Sequence, residues 1–168
     1  VKQTCQYLRY QLAVDAFLQD KMNDVLEWGN ELIANEEKQS EYKTEAHYLC
    51  AHAYYRLHQY ADVIGQIDLY QQQANIAQSK NQQSAIYLKA YALFNQKEYL
   101  AADSLYREYI HALGNDTKNT TYADALNRLG DCLFHKRNFQ EASAIYTQVA
   151  EFKSIGADYA MMQNGYAQ

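Results

Sequence analysis

The chain has 168 residues, 48% of them hydrophobic, which is typical of a single domain with a continuous apolar core. Its formal net charge is −5 at pH 7 and its basic residues are scattered, which argues against a nucleic-acid-binding surface. No stretch approaches the roughly 18 apolar residues of a membrane-spanning helix, and the absence of proline, with only six glycines, favours a nearly all-helical protein.

One residue pattern occurs four times along the chain. A small residue is followed nine positions later by a large apolar residue and, three positions after that, by a small or β-branched residue. The copies, in chain order, are Ala13, Met22 and Val25; Ala51, Tyr60 and Val63; Ala90, Tyr99 and Ala102; and Gly130, Phe139 and Ala142. Gly165 begins a fifth copy. The small residues are 38, 39, 40 and 35 positions apart, and periods of this size indicate a stacked repeat array.

Each copy predicts two helices joined by a short polar turn. In the third copy, two apolar stripes at helical spacing are separated by polar residues 95–98: Ile86, Ala90, Leu93 and Phe94, then Tyr99, Ala102, Leu105, Tyr106, Tyr109 and Ile110. The fourth copy has the same arrangement: Leu126, Leu129, Gly130, Leu133 and Phe134, then Phe139, Ala142, Ile145, Tyr146 and Val149. The pattern therefore predicts a first and a second helix in every repeat.

Local features refine these helix pairs. Asn138 followed three residues later by Glu141 is a capping-box signature at the start of a second helix. Small residues such as Ala90 and Gly130 allow the paired helix axes to approach closely, whereas bulky residues would force them apart. Many of the 17 tyrosines occupy core-facing positions, where a large ring fills the gap between helices.

Nearly the whole chain resembles the tetratricopeptide repeat (TPR) family. The fourth repeat matches the family spacing through Leu126, Leu129, Gly130, Leu133, Phe139, Ala142, Tyr146 and Val149, and the third through Ala90, Leu93, Tyr99, Ala102 and Tyr106. The second has Val63 where the family prefers alanine, and the first matches through Met22, Val25 and Gly29. The family's closing proline is missing from every repeat, and the periods exceed its usual ~34 residues.

The resemblance implies an all-α fold, a right-handed α-α superhelix (solenoid) of helix-turn-helix repeats. We assign one domain over residues 1–168, with repeats at about 6–43, 44–82, 83–122 and 123–157 and a partial fifth at 158–168. The residues in excess of the family period fall around 36–40, 75–81 and 114–120. Either the inter-repeat turns are longer, or the second helices run on, as residues 71–78 suggest.

The chain starts without methionine and ends inside a repeat, so we expect it to be a fragment of a longer protein. Its long repeats and its tyrosine and glutamine content resemble the extended repeat proteins of bacterial envelopes. The residues that follow Val1 show no signal-peptide pattern. A bacterial cell envelope (periplasmic) location and the cytoplasm both stay open.

Cysteines and histidines give little support for a metal or redox site. Cys50 and Cys132 fall beside the small packing positions and are predicted to be buried thiols, whereas Cys5 is expected to be exposed. No CxxC pair occurs. His47 and His52 are five residues apart, which is poor spacing for one helix face. We therefore expect no metal and no cofactor.

The sequence also lacks a catalytic constellation. No phosphate loop, nucleophile elbow or paired-carboxylate motif occurs, and the chain is not expected to be an enzyme. Four aspartates that could form pairs are interpreted as ordinary solvated or capping residues: Asp15 and Asp20, Asp124 and Asp131. The triplet at residues 119–121 fits an N-glycosylation acceptor, and a helix N-cap at Thr120 or Thr121 explains it equally well.

The family geometry implies a ligand-binding groove on the concave face, lined by the first helices. Carried over position by position, the groove residues are Tyr10, Val14, Phe17 and Leu18; Tyr48, His52, Tyr55 and Arg56; Tyr87, Tyr91, Phe94 and Asn95; and Asn127, Asp131, Phe134 and His135. An aromatic residue occupies one equivalent position in all four repeats: Phe17, Tyr55, Phe94 and Phe134. A second position has Tyr10, Tyr48 and Tyr87, then Asn127.

Two interpretations of these aromatic positions stay open. In the first, the rings are core residues packed against the next helix. In the second, they are exposed anchors for a partner, because protein interfaces are enriched in aromatic anchors. Arg56, Asp131 and His135 have mixed charge, so the charge of the ligand is not predicted.

The main hypothesis is a non-catalytic protein–protein interaction scaffold that binds a peptide or partner protein in the concave groove. The alternative is a carbohydrate or small-ligand module that uses a tyrosine stacking platform. A sensor or dimerisation part of a signalling protein is a third hypothesis. Apolar surface on the truncated C-terminal repeat also predicts self-association, because solenoids need a polar cap.

Overall fold

The computed structural model describes residues 2–34, 41–73, 79–114, 120–152 and 156–168, and these residues form nine α-helices and no strand. In chain order the helices are α1 Lys2–Leu18, α2 Met22–Ile33, α3 Glu41–Arg56, α4 Tyr60–Gln71, α5 Gln82–Asn95, α6 Tyr99–Leu113, α7 Thr120–His135, α8 Phe139–Glu151 and α9 Ala157–Ala167. The all-α prediction is confirmed.

The repeat pattern correctly located the second helices. Helices α2, α4, α6 and α8 begin at the large apolar residue of each copy: Met22, Tyr60, Tyr99 and Phe139. The small or β-branched residue three positions later is fully buried in every case: Val25, Val63, Ala102 and Ala142. These side chains are thus buried one helical turn after the start of each second helix.

The segments between repeats differ in part from the prediction and in part lie outside the described residues. The proposal that second helices run on is wrong for α4, which ends at Gln71. Most of the predicted long segments between repeats, and Asn119 of the glycosylation triplet, fall among residues that are not described. Helix α7 begins at Thr120.

The chain divides into two compact units, Val1–Leu88 and Lys89–Gln168, here called the first unit and the second unit. In the first unit each of α1 to α3 packs on the next helix, and one core cluster contains Ala13, Val25, Leu49 and Ala53. In the second unit α6, α7, α8 and α9 pack in the same sequential way. Tyrosines contribute much of the buried volume, as predicted: Tyr70 in the first unit, and Tyr106, Tyr122 and Tyr146 in the second.

The turn inside each repeat is a Schellman motif. A non-glycine residue adopts the left-handed conformation in all four turns: Asp20, His58, Lys97 and Arg137, with φ of 60°, 58°, 67° and 62°. In the fourth repeat, the Asn138 N–H donates to the Leu133 carbonyl and the Arg137 N–H to the Phe134 carbonyl. The same two bonds recur in the other three turns and satisfy the carbonyls at the helix end.

This motif explains why the capping box predicted at Asn138 does not form. The backbone N–H that Glu141 would accept is already bonded to Leu133, and Asn138 makes no side-chain cap bond. The Asn138 amide instead donates to the Glu141 carboxylate at 2.7 Å. The helix start was predicted correctly, but its capping chemistry was wrong.

Close helix approach depends on small residues, as predicted. A Cβ atom on Gly130 would lie 2.5 Å from Cε1 of Tyr146, on the facing helix α8. A Cβ atom on Gly29 of α2 would likewise lie too close to the Cys50 sulfur of α3. The equivalent small residues Ala13, Ala51 and Ala90 have no exposed surface. A larger side chain at these positions would force the helices apart.

Candidate functional site

The predicted groove residues occupy four equivalent positions on the first helices. In the first three repeats the residues at three of these positions are half-buried: Tyr10, Val14 and Phe17; Tyr48, His52 and Tyr55; Tyr87, Tyr91 and Phe94. The residues at the fourth position are exposed in all four repeats: Leu18, Arg56, Asn95 and His135. In the fourth repeat Phe134 is also half-buried, whereas Asn127 and Asp131 are only 4% and 6% exposed. Most of these side chains are therefore neither full core residues nor freely solvated.

The position occupied by Phe17, Tyr55, Phe94 and Phe134 has a structural role at the corner of the repeat. Phe94 contacts Tyr99, and Phe134 contacts Phe139, each edge-to-face at 67° with ring centroids 5.5 Å and 5.1 Å apart. Each ring thus packs on the first residue of the second helix. Both rings are half-buried, so they pack on the second helix without being fully enclosed in the core.

In the first unit, an aromatic cluster forms around His52. Its ring lies 4.7 Å from that of Tyr48 and 5.7 Å from that of Phe17, both edge-to-face. Burial lowers the pKa of His52, so the imidazole is held in its neutral form. The Tyr48 hydroxyl donates to Ser84 at 2.8 Å, and its ring also contacts Tyr70 at 5.6 Å.

Two further groove residues of the first unit, Tyr10 and Arg56, make contacts with other residues. Tyr10 contacts the ring of Tyr42 at 5.6 Å. Arg56 is exposed and forms an ion pair with Asp20 at 2.7 Å, beside the turn of the first repeat. Arg56 therefore contributes to a polar surface at the repeat corner and does not join the aromatic residues.

In the second unit, several groove residues line one cleft of about 400 Å³. Its lining residues are Phe94, Arg128, Asp131, Phe134, His135, Tyr146, Tyr159 and Gln163. The groove prediction included four of these: Phe94, Asp131, Phe134 and His135. The other four were not predicted as groove residues. We call this the aromatic cleft.

Asp131 is the polar centre of the aromatic cleft. Its Oδ1 accepts hydrogen bonds from the hydroxyls of Tyr146 and Tyr159, both at 2.8 Å, and its Oδ2 accepts one from Arg128 at 3.0 Å. Burial and the adjacent carboxylate raise the pKa of Tyr146 and bring that of Tyr159 to about 12, so both phenols stay protonated donors. The interpretation of Asp131 as an ordinary solvated or capping residue is wrong.

Arg128 lies between aromatic rings and carboxylates. Its guanidinium carbon is 5.7 Å from the ring centroid of Phe94 and 5.9 Å from that of Tyr159. Burial alone would lower the pKa of Arg128, but Asp124 and Asp131 raise it above its ordinary value. The side chain is 29% exposed and lines the cleft.

One sequence feature could have identified Arg128. Asp124 and Asp131 lie four residues before it and three residues after it, which places all three on one helix face. Tyr159 could not have been identified in this way, because it belongs to another helix 31 residues further along the chain. Asn127 is also outside the cleft lining: its amide donates to the Gly156 carbonyl at 3.2 Å and helps to attach the start of α9.

The cysteines lie as predicted, with Cys5 exposed and Cys50 and Cys132 buried. Among the residues that the structure describes, no group of three or more His, Cys, Asp or Glu side chains is placed to hold a metal ion. Within the same residues, no helix combines the length and the apolar character needed to cross a bilayer.

Comparisons with known proteins show similarity in fold. No protein-family model and no curated protein sequence matches the chain. A crystal structure of MamA protein aligns with a TM-score of 0.75 and 17% identity, over 96% of this chain and 80% of that chain. MamA from Desulfovibrio magneticus RS-1 aligns with a TM-score of 0.76 and 16% identity, over 96% and 82%.

A third solved structure is the C-terminal part of a TPR repeat-containing protein from Cytophaga hutchinsonii. It aligns with a TM-score of 0.53 and 16% identity, over 94% of this chain and 69% of that chain. These similarities, together with the nine described helices, show that the chain has a TPR-like helical repeat fold. The predicted fold class is confirmed.

Proposed function

We propose that the chain is a non-catalytic protein-interaction scaffold that binds an extended segment of a partner protein on its first helices. The observation that carries this proposal is the half-burial of aromatic side chains at equivalent positions in successive repeats. Each ring is held in place by the scaffold and keeps accessible surface for a ligand. Rigid aromatic anchors of this kind dominate the energetics of many protein interfaces.

The described residues also support a non-catalytic role. The thiols of Cys50 and Cys132 are buried, and burial raises the pKa of each to about 12, so neither is an effective nucleophile at neutral pH. The contacts of His52 are with rings rather than with a carboxylate that could orient it as a base. Asp131 is bonded to three donors, which leaves it poorly placed to accept a proton from a substrate.

Ring orientation favours a peptide ligand over a carbohydrate. A sugar-stacking platform needs flat, exposed ring faces, but Tyr48 is half-buried and two neighbouring rings contact it at 78° and 37°. Phe94 and Phe134 have edge-to-face neighbours, and a guanidinium lies over the ring of Phe94. Carbohydrate binding therefore remains the second hypothesis and an outcome of the test below.

The test is a selection from a random peptide display library, followed by calorimetry on the selected peptides. The wild-type chain is compared with the triple variant Tyr48→Ala/Tyr87→Ala/Tyr91→Ala, and circular dichroism checks that the variant is folded. We expect the triple variant to bind at least tenfold more weakly, because removal of a central anchor typically costs more than about 1 kcal/mol.

The matched control removes tyrosines outside the three positions. Tyr7 and Tyr166 are 47% and 69% exposed, and Tyr7→Ala/Tyr166→Ala should bind like the wild type. Equal losses in both variants, or no selected peptide at all, would contradict the proposal. Binding of a short oligosaccharide that depends on Tyr48 would favour the carbohydrate hypothesis instead.

We also propose self-association between α9 of one copy and α1 of another. Leu8 and Leu12 of α1 are 55% and 44% exposed. The residues that correspond to Leu8 in the other repeats are alanines with no exposed surface: Ala46, Ala85, Ala125 and Ala160. On α9, Met161, Met162 and Tyr166 are more than half exposed, although the corresponding residues of α7 are buried. Both helices thus expose apolar side chains at positions that are buried in other repeats.

A further inference from the structure

We propose that the aromatic cleft of the second unit binds an uncharged aromatic side chain of the partner, a tryptophan or a tyrosine. This inference rests on the proposed function, because it names the residue type that the scaffold would recognise at one place. The geometry, the charge and the ring content of the cleft each support it.

The size and walls of the cleft suit one large side chain. Its volume of about 400 Å³ lies at the lower end of the usual range for ligand sites, roughly 300–1,000 Å³. Phe94 and Phe134 come from two successive first helices, and Tyr159 comes from α9. A single ring entering the cleft would therefore contact three separate helices.

The charges of the cleft disfavour a charged ligand of either sign. Arg128 and Asp131 form an ion pair at 3.0 Å, and Asp124 lies 3.9 Å from Nε of the same arginine. An incoming carboxylate would approach the buried Asp131, and an incoming ammonium or guanidinium would approach Arg128. Either charged group would also lose its hydration on entering the cleft. That loss would not be compensated, because Arg128 and Asp131 are already paired with each other.

The aromatic content of the cleft favours a ring over an aliphatic side chain. Phe94 and Phe134 already make edge-to-face contacts, and Arg128 lies over two ring faces. An incoming ring can extend both types of contact, since aromatic pairs and cation–π contacts are attractive beyond simple burial of area. A leucine of the partner could use only the burial of its apolar surface.

The experiment titrates the N-acetyl amides of Trp, Tyr, Leu, Glu and Arg into the ¹⁵N-labelled full chain, observed by two-dimensional NMR. We expect the Trp and Tyr amides to shift the Arg128 side-chain resonance and the backbone resonances beside Asp131 and Tyr159. The expected Kd is on the order of 1 mM, as is usual for ligands of this size. The Glu and Arg amides should bind at least tenfold more weakly.

Two variants separate ring recognition from general packing. Phe134→Leu keeps an apolar side chain but removes the ring, and should weaken binding of the Trp amide about fivefold or more. Phe152→Leu makes the same change after α8, where the ring contacts Tyr122 outside the cleft and outside the predicted groove, and should leave binding unchanged. Thermal unfolding of both variants checks that the fold is kept.

Three results would overturn the inference: Glu or Arg amide binding as tightly as Trp amide, shifts that map outside the cleft, or unchanged binding by Phe134→Leu. The peptide selection tests the proposed function independently. Selected peptides that bind through Tyr48 while the amides fail to bind the cleft would sustain the scaffold function and reject this inference. Failure of both experiments would reject both.

Discussion

Gly130 and Tyr146 illustrate how a single hydrogen atom in place of a side chain determines the spacing of two helices. The Tyr146 ring has no exposed surface and its hydroxyl is bonded to Asp131, so the ring has little freedom to move away from a new Cβ atom. We expect Gly130→Ala to lower the free energy of unfolding by roughly 1–3 kcal/mol, the usual cost of overpacking. Urea unfolding followed by circular dichroism measures this change.

The control for this prediction is Gly65→Ala in α4. Gly65 is exposed, and a Cβ atom there would meet no atom within 4 Å. Since alanine is the better helix former, Gly65→Ala should raise stability by about 0.5–1 kcal/mol. If Gly130→Ala were also stabilising, the close approach of α7 and α8 would not depend on the glycine.

His47 and His52 predict a pH dependence of stability in the first unit. His47 is 3% exposed and bonded to Gln66 at 2.8 Å, and burial lowers the pKa of both histidines. The folded state therefore binds fewer protons than the unfolded state below the ordinary pKa of about 6.5. Their contribution to stability is complete above that pH and is lost as pH falls from about 6.5 through the lowered values.

This dependence can be measured by urea unfolding between pH 7.5 and pH 5.5. The slope from each histidine is at most about 1.4 kcal/mol per pH unit. The double variant His47→Gln/His52→Gln should show a flatter profile than the wild type. A wild-type profile that is flat, or that rises as pH falls, would contradict the assignment.

At the scale of elements, the four Schellman turns share an energetic cost. A left-handed conformation costs a non-glycine residue roughly 1–2 kcal/mol, and glycine avoids this cost while losing more chain entropy on folding. Lys97 is exposed and has φ of 67°. We expect Lys97→Gly to stabilise the second unit by about 0.5–1 kcal/mol in thermal or urea unfolding.

Lys97→Ala is the matched control for the turn. Alanine removes the lysine side chain but keeps the Cβ atom, and so it should give no such gain. Gln96→Gly, one residue earlier and without a positive φ, should be neutral or destabilising. Equal effects of Lys97→Gly and Lys97→Ala would show that loss of the lysine, rather than backbone conformation, determines the change.

At the scale of the whole molecule, the exposed apolar residues of α1 and α9 predict association that increases with concentration. Met162→Lys and Leu8→Lys should each shift sedimentation equilibrium towards the monomer, because each places a charge in the proposed contact. Leu100 of α6 is 72% exposed and lies on neither helix, so Leu100→Lys is the matched control. A wild type that is monomeric at high concentration would reject the prediction.

Local patterns predicted the fold well because the repeat imposes the same constraint several times. The starts of the second helices at Met22 and Phe139, and the buried Val25 and Ala142, follow from spacing alone. The capping chemistry at Asn138 was wrong because the turn had already engaged the backbone N–H. Local spacing shows which side chains share a helix face, but it cannot show which tertiary partners satisfy them.

The aromatic cleft shows where sequence reasoning reaches its limit. Phe94 and Phe134 were predicted from their equivalent positions, and Arg128 could have been found from its flanking aspartates. Tyr159 and Gln163 could not, because their contribution depends on how α9 docks onto α7 and α8. The burial of Asp131 likewise results from partners on three helices, α7, α8 and α9.

The positions of the three cysteines have a consequence for experiments on local opening. Cys50 is buried in the first unit, Cys132 is buried in the second, and Cys5 is exposed. With a pKa of about 12, neither buried thiol can react with an alkylating reagent until the structure around it opens. Cys50 and Cys132 thus serve as one labelling probe for each unit, and the exposed Cys5 serves as an internal reference for the intrinsic rate of alkylation. The rates at which Cys50 and Cys132 are modified would report the opening free energy of each unit separately.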